Sequence, residues 1–351
     1  MILTAVTFFV ILSILVLVHE LGHFLVARFF GVDVEEFGLG LPPRIFGKKV
    51  RGTMYSVNWL PIGGFVKLAG EDDEEKGQQK GKVLFWQKTK KQRAAILLAG
   101  VAMNFFLAVG ITSYLLTQGV MEPSGRVHIE RVLEETPAAA AGLMENDVIA
   151  KLDDKEITKP SDLIDATKSL AGQAVTLTVI RENREFQVSV TPRKEYPQGQ
   201  GPMGVAISDL EKKTYPISIA PIKSLEINLL RGRDMLGSLG ILFWRLITLQ
   251  PLQADVAGPI GIAQVTGQAV QFGLLAVLEF MSILSLNLAV LNVLPIPALD
   301  GGRLAFVFLE KILGRRIKPA FEKSTHQIGM VILFALILLI SINDILRLVR
   351  G

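Results

Sequence analysis

The chain has 351 residues, with 37 Lys and Arg against 33 Asp and Glu, and a net charge of +4. Half of its residues (50%) are hydrophobic and 20% are charged, which excludes an intrinsically disordered chain. It contains no cysteine, which excludes a disulfide scaffold, a cysteine nucleophile and a thiolate metal site. The small charge surplus does not by itself indicate a nucleic-acid-binding protein.

Four segments are apolar enough to predict membrane-spanning helices. Residues 2–18 and 94–117 carry no charge, residues 272–299 carry only Glu279, and residues 328–342 continue into a further apolar stretch. About 20 apolar residues cross the hydrocarbon core of a bilayer, so buried helices of a soluble protein are the less favoured alternative. The first segment has no basic region ahead of it, which argues against a cleaved signal peptide.

The basic residues predict the side of the membrane that each loop faces. Residues 31–93 contain twelve Lys and Arg, and residues 303–323 contain six. The positive-inside rule places both stretches on the cytoplasmic side. The long segment between the second and third apolar helices, and both chain termini, are then predicted to lie outside.

The motif His19-Glu20-Leu21-Gly22-His23 ends the first apolar segment. On a helix, His19 and His23 are four residues apart, so both imidazoles lie on one face and can bind one zinc ion. Glu20 lies beside that site as a candidate general base. Three ionisable groups are costly at the end of an apolar helix, which favours a functional site over a solvated helix end.

A β-hairpin is predicted after the first helix. Residues 51–69 alternate in polarity, and Pro61-Ile62-Gly63-Gly64 is the predicted turn. The free edge of such a hairpin can pair with an extended peptide. An ordinary cytoplasmic hairpin is the alternative.

Residues 120–200 read as short strands, VHIERVL, DVIAKLD, AVTLTVIR and REFQVSVTP, separated by two helix signals. This pattern predicts a small α+β domain with a hairpin turn at residues 181–184. The motifs at 137–143 (PAAAAGL) and 147–149 (DVI) resemble those of bacterial PDZ domains. The resemblance implies peptide binding by strand addition, although a domain that binds nothing is equally open. Asn146 replaces the usual glycine, and asparagine tolerates the left-handed conformation.

Residues 216–250 alternate apolar stretches with six charged residues. This composition favours an amphipathic helix on the membrane surface. A fifth spanning helix is the alternative, and it would disturb the predicted topology.

A second motif, Asn292-x-x-Pro295-x-Pro297-x-Leu299-Asp300-Gly301-Gly302, ends the third apolar segment. Catalytic zinc sites use three protein ligands and an open position, and the two histidines leave one ligand to be supplied. Helices one and three run in the same direction in the predicted topology, so Asp300 falls at the depth of the histidines. A simple helix-terminating turn is the alternative.

The two motifs, with one PDZ-like domain between them, resemble the site-2 protease family of intramembrane zinc metalloproteases, in particular bacterial members with a single PDZ domain. The resemblance covers nearly the whole chain. It implies that His19, His23 and Asp300 bind one zinc ion per chain, that Glu20 is the general base, and that the hairpin dips into the membrane. Residues implied to contact substrate are Asn292, Pro295, Asn58, Gly63 and Gly64.

The predicted fold is a membrane α-helical protein with about four transmembrane helices, a membrane-associated β-hairpin and an inserted α+β PDZ domain. The predicted domains are residues 1–119 with two helices and the hairpin loop, 120–207 as the extracytoplasmic PDZ domain, 208–271 as an amphipathic membrane-surface region, and 272–351 with the last two helices. The resemblance implies a bacterial inner-membrane endopeptidase. Its PDZ domain and both termini would be extracytoplasmic, with the active site near the cytoplasmic side.

The implied substrates are transmembrane segments of single-pass proteins that another protease has already shortened, such as anti-sigma factors or remnant signal peptides. The other implied partners are a peptide or new C-terminus at the PDZ domain and the lipid bilayer, with no nucleic acid. Two other classes stay open, a proteolytically silent receptor and a zinc or ion transporter. The complete motifs argue against the receptor, and no inverted repeats are apparent to favour a transporter.

Overall fold

The computed structural model describes residues 2–71, 81–197, 199–248, 250 and 258–350. In chain order, its elements are α1 (Ile2–Phe29), β1 (Val34–Val50), β2 (Thr53–Leu68), α2 (Lys90–Gln118), β3 (Val120–Val132), α3 (Pro137–Ala140), β4 (Val148–Leu152), β5 (Lys155–Glu156), α4 (Pro160–Ser169), β6 (Val175–Arg181), β7 (Arg184–Val190), β8 (Val205–Lys213), α5 (Ala220–Ile247), α6 (Pro259–Phe272), α7 (Leu274–Val293), α8 (Asp300–Leu313) and α9 (Pro319–Arg350). They fall into two compact units, one of residues 1–115 and 216–351, and the other of residues 116–215.

The first unit contains the apolar helices. Within the described ranges, four helices are long and apolar enough to cross a membrane, namely α1, α2, α7 and residues 320–346 of α9. These are the four segments predicted from the sequence. The helix α5 forms over the segment predicted to be amphipathic, and it is not among the four.

The third apolar segment was predicted as one stretch over residues 272–299, whereas the structure divides it. Helix α7 covers Leu274–Val293 and ends before the proline-containing stretch. Gly273, with φ +98°, separates α7 from α6, and a side chain would be strained in that conformation. The residues after Val293 therefore form a connection to α8 instead of a continued helix, because proline at 295 and 297 cannot continue it.

The predicted hairpin within residues 51–69 is wrong in its turn and in its partner strand. Residues 61–64 lie inside β2, and β2 pairs with β1, a strand that the sequence reading missed. The turn is Arg51-Gly52, where Val50 pairs with Thr53. The stretch Phe37–Leu39 lies between two parts of β2, opposite residues 55–57 and 64–66, so the two long strands make a curled sheet.

Helix α2 is tied to α7 and α5 by buried hydroxyl groups. Ser282 Oγ donates to the Ala108 carbonyl at 3.1 Å, and Ser285 Oγ donates to the Asn104 carbonyl at 2.8 Å. Ser224 of α5 donates to the Val109 carbonyl at 2.6 Å. Small hydroxyl residues allow helices to approach closely and replace hydrogen bonds that lipid cannot supply. These contacts hold the middle of α2 in place against its neighbours.

Helix α8 is fastened to the start of α2 by a buried ion pair. Arg93 Nη1 lies 2.7 Å from Glu310 Oε2, and the side chains are 7% and 2% exposed. Lys90 Nζ donates to the backbone carbonyl of Glu310 at 2.7 Å. The Ile317 N–H donates to Oε1, the second carboxylate oxygen of Glu310, at 3.2 Å. A buried charge of this kind requires its partners, so α8 has a defined position on α2.

A second buried carboxylate caps α6 from the far end of α9. Asp344 Oδ2 accepts the N–H groups of Gly258 at 3.0 Å and Gly261 at 2.9 Å. These belong to the first turn of α6, where N–H groups lack helical partners and the helix dipole favours a negative charge. The contact ties the start of α6 to the end of α9.

The second unit, residues 116–215, is an antiparallel sheet with two short helices. Its strand order is β7-β6-β4-β3-β8, with β5 pairing to β4. The apolar side chains of β3, β4, β6 and β7 form its core together with Leu163 of α4. The strand β8 was missed by the sequence reading, and the unit extends to Tyr215 rather than ending at residue 207.

Local predictions in this unit are confirmed. Thr136 caps α3 by accepting the Ala139 N–H, and Pro137 occupies the first turn. Glu182 and Asn183 both have positive φ, as a tight turn between β6 and β7 requires. Asn146 adopts the left-handed conformation with φ +68°.

Asp147, the acidic residue that follows Asn146, is fully buried and forms an ion pair inside the unit. Its two oxygens each lie 2.6 Å from a nitrogen of Arg181, and one of them also accepts the Met144 N–H at 2.8 Å. The ion pair raises the pKa of the Arg181 guanidinium. The pair therefore joins the loop before β4 to the end of β6.

Candidate metal centre

Three side-chain atoms that could bind a metal ion come from distant parts of the chain and converge at one point. His19 Nε2 lies 2.8 Å from Asp300 Oδ2, and His23 Nε2 lies 3.2 Å from the same oxygen. The two Nε2 atoms are 3.2 Å apart. Both histidines are buried on α1, and Asp300 is the first residue of α8. The structure thus brings together the three ligands predicted from the sequence.

The hydrogen bonds around the imidazoles leave their converging atoms free to bind a cation. His23 Nδ1 donates to the Ile96 carbonyl at 2.8 Å, so in the neutral ring Nε2 carries a lone pair. On His19, Nδ1 faces the side-chain amide of Asn104 at 3.4 Å, and Asn104 Oδ1 has no hydrogen-bond partner. When the Asn104 amide is turned so that its oxygen faces His19, the Nδ1–H of His19 donates to that oxygen. The Nε2 of His19 then carries a lone pair, as in His23.

A divalent metal fits this arrangement. Two nitrogen lone pairs and a carboxylate oxygen repel one another unless a cation lies between them. Tetrahedral zinc with bonds of about 2.0–2.1 Å separates its ligand atoms by about 3.3 Å, close to the observed 2.8–3.2 Å. The carbonyl and amide that orient the two rings are the outer partners that histidine ligands ordinarily have.

Glycines in α1 and α2 make room for the imidazoles. A Cβ on Gly100 would overlap His23 Nε2 and would lie 2.7 Å from His19 Cε1. A Cβ on Gly22 would overlap the backbone carbonyl of Ala99. The two helices therefore touch at the site itself, and α2 forms one wall of the cavity that holds the rings.

Two further glycines allow Asp300 to reach the histidines. A Cβ on Gly301 would overlap the backbone of Val293 and Leu294, and a Cβ on Gly302 would overlap that of Ile296. The first turn of α8 thus folds directly back on the connection from α7. This close approach is the physical reason for two glycines after the aspartate.

His326 of α9 supports the same connection. Its Nδ1 accepts the N–H of Ala298, at 3.0 Å, and Ala298 has φ +80°. The strained residue lies two positions before Asp300. His326 therefore holds the loop that delivers the third ligand atom.

Glu20 lies beside the ligands and contacts the curled sheet. Its Oε2 accepts the Val66 N–H at 2.9 Å. The carboxylate is thus oriented by β2 and is not one of the three converging ligand atoms. The same hydrogen bond brings β2 to the site, because Val66 belongs to that strand.

The residues predicted to contact substrate lie on three parts of the chain, namely the end of α7, the connection to α8 and the curled sheet. Asn292 is in the last turn of α7, and Pro295 is in the connection that leads to Asp300. Asn58 is buried in the sheet, where its amide donates to the Gly40 carbonyl at 3.1 Å. A Cβ added to Gly63 would lie 3.7 Å from Val16 of α1. A Cβ added to Gly64 would lie 2.8 Å from the Gly38 carbonyl oxygen. Their role towards substrate stays a prediction.

A basic residue contributes positive charge near the centre. Arg303, one turn into α8, forms an ion pair with Glu71. Burial lowers the pKa of the Arg303 guanidinium, and the carboxylates of Glu322 and Glu20 oppose that shift. The pair links α8 to the residues that follow β2.

The sequence reading missed Gly100, Asn104, Val66 and His326 as parts of the site. Gly100 and Asn104 lie four residues apart on α2, on the face that meets α1. An asparagine inside an uncharged 24-residue segment was the available signal, since a buried amide needs a partner. The Val66 contact uses a backbone N–H, which no side-chain pattern encodes.

Comparison with known proteins gives consistent matches. The family described as peptidase family M50 matches residues 7–336. A Clostridium perfringens protein named as a candidate zinc metalloprotease is 33% identical over 95% of this chain and 96% of its own length. The regulator of sigma-W protease RasP of Bacillus subtilis is 29% identical over 98% of this chain and 99% of its own length. Among solved structures, the match to a PDZ domain from a Listeria innocua SdrC-like protein covers 23% of this chain and 92% of that domain. The two are 23% identical, with a TM-score of 0.21.

Proposed function

The chain belongs to peptidase family M50, the site-2 protease family, and is a zinc metalloprotease, and we propose that it hydrolyses peptide bonds of membrane-spanning segments. The observation that carries the proposal is the convergence of three candidate ligand atoms next to Glu20, two of them from histidines inside α1, a helix apolar enough to cross a membrane. A site at that depth favours substrates that are themselves in the membrane.

In this proposal, His19, His23 and Asp300 hold the zinc ion. Zinc, when bound, supplies a positive charge that polarises the scissile carbonyl and makes water more acidic. Ile96 and Asn104 keep the two imidazoles in the orientation that presents Nε2. Gly100 keeps the space beside them open.

Glu20 is the proposed general base and acid. Its carboxylate takes a proton from the attacking water as the new C–O bond forms, and returns that proton to the leaving amine as the C–N bond breaks. The Val66 N–H holds one carboxylate oxygen in place, so the group does not have to be ordered at the moment of reaction. Arg303 adds positive charge nearby.

The strand β2 is the proposed guide for the substrate chain. The amides of an intact helix are hydrogen-bonded to one another, so a membrane-spanning substrate must be extended before its carbonyl becomes accessible. The Val66 contact places the edge of β2 at Glu20, where an extended chain can pair with it. Other proposed substrate-contact residues are Asn58, Gly63, Gly64, Asn292 and Pro295.

The proposed substrates are single-pass membrane proteins that another protease has already shortened, such as anti-sigma factors and remnant signal peptides. The name of the Bacillus subtilis relative, regulator of sigma-W protease, supports the first class. We assign residues 116–215 to a PDZ domain that screens substrates outside the cytoplasm by size or by a new C-terminus. The proposed location is a bacterial inner membrane, with the metal centre near its cytoplasmic side.

The test is cleavage of a single-pass model substrate by the detergent-purified chain, with bound zinc measured in the same preparation. We expect about one zinc per chain, cleavage by the unaltered protein, and loss of cleavage with zinc retained in Glu20→Gln. A soluble unfolded peptide of the same sequence serves as the comparison substrate. Equal cleavage by Glu20→Gln would refute the role of Glu20, and exclusive cleavage of the soluble peptide would refute the intramembrane proposal.

A further inference from the structure

A large apolar groove lies between the start of α2, the end of α7 and the outer face of α8. Its volume is about 760 Å³, and its walls include Ala94, Leu304, Ala305 and Phe308. This volume is within the range of pockets that hold a small ligand, about 300–1,000 Å³. Its lining also includes Pro295, a proposed substrate-contact residue, and Gly301, so the groove reaches the connection that leads to Asp300.

Three lysines line this groove, Lys90, Lys91 and Lys311. Its lining contains no acidic residue. In the part of the chain that the structure describes, Lys91 and Lys311 are exposed and make no hydrogen bond or ion pair. Lys90 donates one hydrogen bond to the Glu310 carbonyl at 2.7 Å, which leaves two of its three donors available.

The position of the lysines adds to their charge. Lys90 and Lys91 are the first residues of α2, where the helix dipole and unpaired N–H groups favour an anion. The helix α2 is long and apolar enough to cross a membrane, and in that placement its basic first turn would be at the level of the lipid head groups. The groove thus combines an apolar interior with a cationic mouth at the depth where lipid phosphates are found.

We propose that this groove is a binding site for one anionic phospholipid. Its phosphate would lie among Lys90, Lys91 and Lys311, and an acyl chain would occupy the apolar part against Leu304 and Phe308. Charge complementarity favours this occupant over a membrane-spanning peptide, because an apolar peptide would leave three ammonium groups without an anion. The proposal concerns binding and does not depend on the proposed reaction.

The experiment uses the full chain in nanodiscs of phosphatidylcholine with a trace of phosphatidylglycerol that carries a photoreactive group in its acyl chain. We expect crosslinks on Leu304 and Phe308, located by mass spectrometry, and expect unlabelled phosphatidylglycerol to compete while added phosphatidylcholine does not. The double variant Lys91→Gln/Lys311→Gln should bind the probe about 30-fold more weakly, from the usual contribution of two basic side chains near an anionic head group.

The matched control is Lys48→Gln/Lys49→Gln, which removes the same charge from exposed positions of β1 and should leave the crosslinking unchanged. Ala305→Trp, which fills the groove, should abolish it. Equal competition by phosphatidylcholine, or an equal loss in the β1 control, would overturn the proposal in favour of general contact with lipid. Displacement of the probe by a substrate peptide, but not by phosphatidylglycerol, would overturn it in favour of a peptide groove.

Discussion

Replacing Gly100 with alanine places a methyl group against the two proposed ligand imidazoles. The added Cβ would overlap His23 Nε2 and would lie 2.7 Å from His19 Cε1. Its other close neighbour is His23 Cε1, at 2.8 Å. None of these atoms is the end of a flexible chain, because the rings are held by Ile96 and by Asn104. The rings or the whole of α2 must therefore shift.

The size of the shift follows from ordinary contact distances. Carbon atoms pack at about 3.5–4.0 Å, so the contact with His19 requires a movement of about 1 Å. Metal–ligand distances tolerate about 0.2 Å, and loss of a partner that orients a ligand typically costs about 10–100-fold in metal affinity. We expect Gly100→Ala to lower zinc affinity by that factor and kcat/KM by about 100-fold. Overpacking of this kind destabilises a fold by about 1–3 kcal/mol.

The assay measures zinc retained after dialysis, cleavage of the model substrate and thermal unfolding of the detergent-solubilised chain. Gly110→Ala is the matched control, because it makes the same substitution in the same helix with no atom within 4 Å of the added Cβ. That control should keep zinc and activity and gain at most about 1 kcal/mol of helix stability. If Gly100→Ala binds zinc and cleaves substrate as well as Gly110→Ala, the packing argument for the site is refuted.

Three further outcomes are expected. Asn104→Leu removes the amide that orients His19 and should weaken zinc binding about 10–100-fold with little change in folding. Tight zinc binding by a folded variant would contradict the role of the Asn104–His19 contact. Removal of metal by a chelator should abolish cleavage, and zinc but not magnesium should restore it, because nitrogen ligands favour zinc; full activity after verified metal removal would contradict the metal mechanism. Arg181→Met leaves the buried Asp147 without its cation and should destabilise the second unit by about 3 kcal/mol. Limited proteolysis of residues 116–215 measures this loss, and the zinc content should be unchanged. Unaltered protease resistance would show that the ion pair does not stabilise the unit.

The parts of the site that sequence predicts are those encoded by local spacing. His19 and His23 share a helix face because they are four residues apart, and that relation needs no knowledge of the rest of the fold. Asp300 required the second motif and the resemblance of the two motifs together to a known protease family. Its delivery depends on Gly301 and Gly302, whose close approach to the preceding connection is visible only in three dimensions.

The parts that sequence missed depend on pairing between distant segments. The strand β1 contains two prolines and several charges, so its composition hides a strand whose main interaction is with β2. The strand β8 is isolated from the other strands of its sheet by a loop, and its partner β3 lies far earlier in the chain. Gly100 carries no chemistry, and its importance follows only from the imidazoles that face it.

The distance along the chain between the ligands has a consequence for biosynthesis. His19, Glu20 and His23 are translated long before Asp300, which belongs to α8, the eighth of the nine α-helices in the part of the chain that the structure describes. The N–H groups that begin α6 likewise obtain their acceptor, Asp344, only when α9 has been translated. A chain translated only as far as α7 therefore lacks Asp300, one of the three proposed zinc ligands, and cannot form the proposed site.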